Sequence, residues 1–152
     1  MSVDYLVASL PALSFTAPPP ISLDRFREAT GVTEPCAAWR ELECELRNAM
    51  AEARGAARFR RPTSGCSLYW KNRVLSCFQE KDVLRRQEAL DRVWWDAAGE
   101  LTPPAEPLGR GALMTYAVRL ELLHRRAKVS AEAGNAAFDR LTAETKNIRT
   151  SL

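Results

Sequence analysis

The sequence is poor in the residues that most often carry chemistry. Its 152 residues hold one histidine, His124, and four cysteines. Cys36, Cys44, Cys66 and Cys77 form no C-x-x-C pair, and a single imidazole leaves a tetrahedral zinc site without recognisable ligand spacing. Disulfide scaffolds belong to secreted chains, and the opening MSVDYLVASLPAL carries Asp4 where a signal peptide needs basic residues. The expectation is a cytoplasmic protein with reduced thiols, no metal and no cofactor. The Walker-type loop, the G-x-G-x-x-G fingerprint and the G-x-S-x-G elbow are all missing, so the commonest nucleotide-binding and hydrolase signatures are excluded. No stretch approaches the roughly 20 apolar residues that span a bilayer, so membrane association would have to come through a partner. Seven glycines and nine prolines are too few for a low-complexity chain, and no proline lies beyond position 107. The sequence from 108 onward is free to be one long helix.

What is present reads as helix. Residues 3 to 10 are nearly all apolar and stop at Pro11, which fits a short buried strand or a single helical turn equally. Ala17-Pro18-Pro19-Pro20 is a stiff connector, so residues 1–21 form an N-terminal segment and 22–152 a single helical domain. Ser22 caps a short helix carrying Leu23 and Phe26 and closing at Gly31. Thr33 is the expected cap of the next helix, with Pro35 in its first turn. From there Trp39, Leu42, Leu46, Ala49 and Ala53 recur at helical spacing up to Gly55. Residues 56–65 lack periodicity and read as an exposed loop. Ser67 opens a further helical stretch to about residue 100, with Ser76 to Glu80 as its natural break. Pro103, Pro104 and Pro107 make a connector. Beyond it Leu113, Tyr116, Leu120, Leu123, Ala127, Gly134, Phe138, Leu141 and Ile148 support a long C-terminal helix, or two helices meeting at Gly134-Asn135. The fold class that follows is all-α, a bundle of about four to five helices with Pro-rich connectors.

The formal charge is only +3, but it is unevenly spread. Between Arg54 and Arg86 nine bases face two acids, a local +7 that leaves −4 for the rest of the chain. Within it Phe59-Arg60-Arg61 through Tyr69-Trp70-Lys71 interleaves rings and bases, the pattern of a single-stranded nucleic-acid groove. Against that, Trp70, Val74 and Phe78 lie at i, i+4 and i+8, the spacing of a packed helix face, and the near-even total charge disfavours a polyanion binder. The basic loop is then free to meet an acidic protein, which makes Arg58, Arg60, Arg61, Trp70, Lys71 and Arg73 the candidate partner-binding residues. A helical nucleic-acid-binding module using 54–86 is the alternative.

Catalysis finds little footing. His124 sits beside the stripe of the last helix with no nucleophile or carboxylate at a telling spacing, and reads as a surface or half-buried histidine. Glu41, Glu43 and Glu45 alternate around one helix and read as a solvated flank. Of Trp94-Trp95 only one can face fully inward, leaving the other for an interface.

Tyr5-Leu6-Val7-Ala8-Ser9-Leu10-Pro11-Ala12-Leu13-Ser14-Phe15, followed by Pro18-Pro19-Pro20-Ile21-Ser22, resembles the start of an uncharacterised bacterial family whose genes lie among those for the components of V/A-type ATPases. Trp70-Lys71-Asn72-Arg73-Val74-Leu75, the run from Tyr116 to Arg126, and Ala133-Gly134-Asn135-Ala136-Ala137-Phe138 agree with it. The resemblance covers most of the chain. It implies a non-catalytic, all-helical component related to the C-type subunit of the archaeal-type enzyme (the eukaryotic d subunit), the cap that seats the central shaft on the rotor ring. This chain is much shorter than that cap. The implied partners are other V/A-type ATPase subunits, at the central shaft or rotor ring, with the protein cytoplasmic and peripherally attached to the membrane through the complex. The resemblance transfers no catalytic residue.

Overall fold

The computed structural model describes residues 1–65 and 67–150, with the side chains of all of these except 130–133 and 137. Among the described residues there are six α-helices and no strand: α1 Val3–Ser9, α2 Leu23–Thr30, α3 Ala37–Ala53, α4 Leu68–Cys77, α5 Val83–Ala98 and α6 Arg110–Thr150. Two 3₁₀ turns, Ala57–Phe59 and Gly99–Leu101, lie in the connections. The fold is all-α, with a long C-terminal helix. None of the described helices is long and apolar enough to cross a membrane.

The helix ends follow local chemistry. The ambiguous opening is helix: Ser2 accepts from the Tyr5 N–H at 3.4 Å, Asp4 complements the first turn, and the chain is extended at Leu10 ahead of Pro11. Ser22 accepts from the Arg25 N–H at 3.2 Å and Gly31 closes α2 at φ 72°, a left-handed position that favours glycine. The start of α3 differs from expectation. Cys36, and not Thr33, is its N-cap, because Pro35 holds its predecessor extended and stays outside the helix. The break between α4 and α5 falls at Phe78 to Asp82, overlapping the expected Ser76–Glu80, and Asp82 recaps the chain by accepting from the Arg85 N–H at 3.0 Å.

Helices α3, α4, α5 and α6 pack in chain order, with α3 also on α5, while α1 and α2 lie on α6. Trp39, Leu46 and Ala49 of α3 and Trp70 and Val74 of α4 share one core with Leu90, Val93 and Trp94 of α5 and Leu122 and Leu123 of α6. Both tryptophans of the α5 pair are buried, where only one was expected to be. The N-terminal segment accounts for the second: Phe15 packs edge-on against Trp95 with ring centroids 5.7 Å apart, and is itself part of the core. Burying each ring removes a large apolar area from water, which is the main stabilising contribution of such residues.

Helix α6 is one unbroken element of 41 residues, and Gly134-Asn135 does not divide it. The cost of one glycine, about 1 kcal/mol, is spread over a long helix whose flanking residues include several alanines. Its first part is buried at Leu113, Met114, Leu120, Leu122 and Leu123. Every described side chain from Ala127 to Thr150 is exposed, including Phe138 at 69% and Leu141 at 63%. The helix therefore leaves the body and projects roughly 36 Å beyond it.

Candidate partner-binding cleft

Three of the nine bases in the segment singled out by its linear charge, Arg60, Lys71 and Arg73, are paired with carboxylates of neighbouring helices. Glu52 of α3 receives Lys71 Nζ at 3.2 Å and Arg60 Nη1 at 4.0 Å. Arg73 Nη1 meets Asp96 Oδ2 at 2.8 Å. Burial pulls the Arg73 guanidinium down, and the hydrogen bond and charge of Asp96 more than offset it, so its pKa lies above the ordinary value. Trp70 is core, 5% exposed, with its indole N–H donating to Glu100 Oε1 at 2.6 Å, so it is not available to a partner at the surface. Arg60, Arg61 and Lys71 do come together, lining a shallow cavity of about 230 Å³, but they share it with Glu45 and Glu52. Arg58 stands apart over the Phe59 ring at 4.6 Å.

The loop carrying Arg58 and Arg61 is held in place. Asn48 of α3 accepts from the Arg61 N–H at 2.8 Å and donates to its carbonyl at 2.7 Å. Glu41 accepts from both the hydroxyl and the backbone N–H of Ser64, which lowers its carboxyl pKa. This order leaves Phe59 67% exposed at the edge of a larger cleft.

That cleft, about 580 Å³, lies between α3, α5 and the point where α6 leaves the body. Met50, Leu90 and Trp94 form its apolar floor, while Arg47, Arg54 and Arg125 stand around it with Asp91. Arg47, Met50 and Ala51 share one stripe of α3, and Arg54, the C-cap seven residues after Arg47, extends it. Arg47 pairs with Glu43 at 2.6 Å, and Arg125 lies 3.8 Å from Asp91. Arg54 makes no ion pair among the described residues and rests over the Phe78 ring at 5.6 Å. An apolar floor with a guanidinium rim fits a protein segment that presents apolar side chains flanked by carboxylates. The charge count reached this cleft only at Arg54, because Arg47 and Arg125 lie outside the 54–86 segment; the i, i+3, i+4, i+7 stripe ending α3 was the further signal.

His124 is structural in its contacts: its Nε2 lies 2.8 Å from the Ile21 carbonyl oxygen. Tyr116 Oη donates to the Pro11 carbonyl at 2.7 Å, so the two residues fasten the N-terminal segment along α6. Cys36 and Cys44 are half-buried, Cys77 is buried with its thiol pushed up by desolvation, and Cys66 lies outside the described residues. Among the described residues no three of His, Cys, Asp and Glu gather as a metal site. Compared with protein-family models, curated proteins and solved structures, the chain matches none.

Proposed function

We propose that this chain is a non-catalytic subunit or assembly factor of a bacterial V/A-type rotary ATPase, a coupling component at the central stalk akin to the rotor-ring cap. The observation that carries the reading is the meeting of two segments that bear the family resemblance. The stretch from Tyr5 to Ser22 is fastened along Tyr116 to Arg126 through Tyr116–Pro11 and His124–Ile21. Two of the segments that carry the likeness thus make a mutual contact, which supports a shared architecture. A compact body with a guanidinium-rimmed cleft at the root of a long projecting helix suits a part that holds two other proteins in fixed relation. The neutralisation of Arg60, Lys71 and Arg73 by Glu52 and Asp96 weakens the nucleic-acid alternative.

The test is affinity capture of the tagged chain from membranes of its own cells at moderate ionic strength, with partners identified by mass spectrometry. The expected result is recovery of the ATPase A, B and D subunits, reduced by the double variant Arg47→Glu, Arg54→Glu. Recovery of RNA or unrelated proteins in their place overturns the reading.

A further inference from the structure

Arginine recurs along one flank of α3 at a fixed interval. Arg40, Arg47 and Arg54 are exposed and lie seven residues apart, so they stand about 10.5 Å from one another in a row that turns by only about 40° over its length. Half-buried Cys44, Met50 and Ala51 fall between them on the same face. The row borders open space throughout. Arg40, Cys44 and Arg47 line a cavity of about 340 Å³, Arg47 and Arg54 line the adjoining cleft of about 580 Å³, and Phe59 borders both.

The two charged flanks of α3 are treated differently by the rest of the chain. On the acidic flank Glu41 accepts from the Ser64 hydroxyl at 2.7 Å and Glu52 receives Lys71 at 3.2 Å, so the loop and α4 cover it. The basic flank has no such cover. Arg40 reaches only the exposed Glu34, Arg47 only Glu43 one turn back, and Arg54 no carboxylate among the described residues. A face is left that is positive at regular intervals and apolar in between.

The interval selects the shape of what fits. Seven residues are also two turns of a second helix, so a helix lying along α3 with a carboxylate at every seventh position meets all three arginines. The residues three and four beyond each carboxylate then point at Cys44, Met50 and Ala51. An extended segment covers 10.5 Å in about three residues, which turns every second carboxylate away from the row. A nucleic-acid backbone has no aliphatic group for a floor of Met50 and Leu90, and it would meet Glu43 and Asp91 as well. A second copy of this chain does not match either. No three of its acidic residues recur at seven-residue spacing, and the projecting part of α6 carries four bases against three acids from 127 to 150.

We infer that this flank of α3 docks an acidic amphipathic helix of another protein, about 15 residues or longer, with carboxylates at i, i+7 and i+14 and apolar side chains at i+3 and i+4. The inference rests on the proposed role of the chain as a component that binds other proteins, and a synthetic helix tests it apart from the identity of the complex. The probe is a capped, fluorescein-labelled peptide of three Glu-Ala-Gln-Leu-Leu-Gln-Ala repeats, followed by anisotropy as the full chain is added. It should bind with a dissociation constant of roughly micromolar order that rises with salt. Exchanging each Glu with the Gln two residues on keeps the composition and turns the carboxylates away from the leucines, and should weaken binding by about tenfold or more. The triple variant Arg40→Glu, Arg47→Glu, Arg54→Glu should keep its helical circular dichroism, lose the peptide to the same extent, and take instead the peptide with Lys in place of each Glu. Equal binding of the two Glu peptides, no binding below several hundred micromolar, or displacement of the peptide by an equal concentration of oligodeoxythymidine would overturn the inference. Capture of ATPase subunits from membranes without binding of the peptide would overturn it and leave the rotary-ATPase reading standing; peptide binding without that capture would do the reverse.

Discussion

Arg126 Nη1 donates to Asp91 Oδ2 at 3.2 Å, joining α6 to α5 at the last turn before α6 leaves the body. Asp91 is only 7% exposed, and it also accepts from Gln87 Nε2 at 3.0 Å. The Arg126 guanidinium lies 4.0 Å from the centre of the Phe15 ring, so one carboxylate and one ring from the N-terminal segment hold it from two sides. Replacing Asp91 by alanine should lower stability by about 2 kcal/mol, the cost of breaking a mostly buried bonded charge whose arginine partners can partly rehydrate. Urea unfolding monitored by circular dichroism measures it. An effect below a few tenths of a kcal/mol would mean the cluster is incidental.

Gly111 marks the tightest approach at the start of α6. A Cβ built there would lie 2.1 Å from the Leu101 carbonyl oxygen, which is backbone and cannot swing aside. Gly111→Ala should therefore destabilise the fold by about 1–3 kcal/mol even though alanine favours helix elsewhere. The same substitution at Gly134, where nothing lies within 4 Å, should stabilise the helix by up to about 1 kcal/mol. Comparing the two melting curves checks both signs.

Trp70 and the loop arginines should separate cleanly. Trp70→Ala removes a core ring and its bond to Glu100, and should cost about 3–5 kcal/mol. Arg58→Glu together with Arg61→Glu touches exposed side chains and should stay within about 1 kcal/mol. Equal losses in denaturant unfolding would return Trp70 to the surface.

The Glu41–Ser64 bonds carry a pH dependence of known sign. Because the folded-state carboxyl is held below its ordinary value, first by the Ser64 hydroxyl and then by its backbone N–H, the stabilisation is present above the unfolded carboxyl pKa. It is lost as pH falls through the lower, folded value. Acidification should release the segment around Ser64 from α3 before the body unfolds, and Ser64→Ala should move the Glu41 titration upward. A carboxyl-detected NMR titration of the two proteins reads the difference.

Several features governed by neighbours within a turn or two were legible in the sequence, although the cap of α3 was expected at Thr33 and lies at Cys36, and features set by distant partners were not. Ser22, Gly31 and the break before Asp82 are cases of the first kind, since capping and left-handed backbone depend on local bonds. The burial of Trp95 is of the second kind, because the ring that covers it, Phe15, lies far away along the chain. The pairing of the basic segment's Arg60 and Lys71 was hidden for the same reason. Glu52, which lies just outside the 54–86 segment, pairs with bases from two later stretches of chain. Helical periodicity marked the stripe from Leu113 to Ile148 but could not tell where the body ends and the stripe goes uncovered.

The 41-residue helix is anchored at one end only. Over roughly 36 Å of free length, each degree of rotation about the Asp91–Arg126 junction sweeps the far end sideways by about 0.6 Å. A rotation of about three degrees at the junction of Phe15, Asp91 and Arg126 would displace Ile148 by about 2 Å. Mechanical gain of this sort is set by the anchorage and the length of the rod.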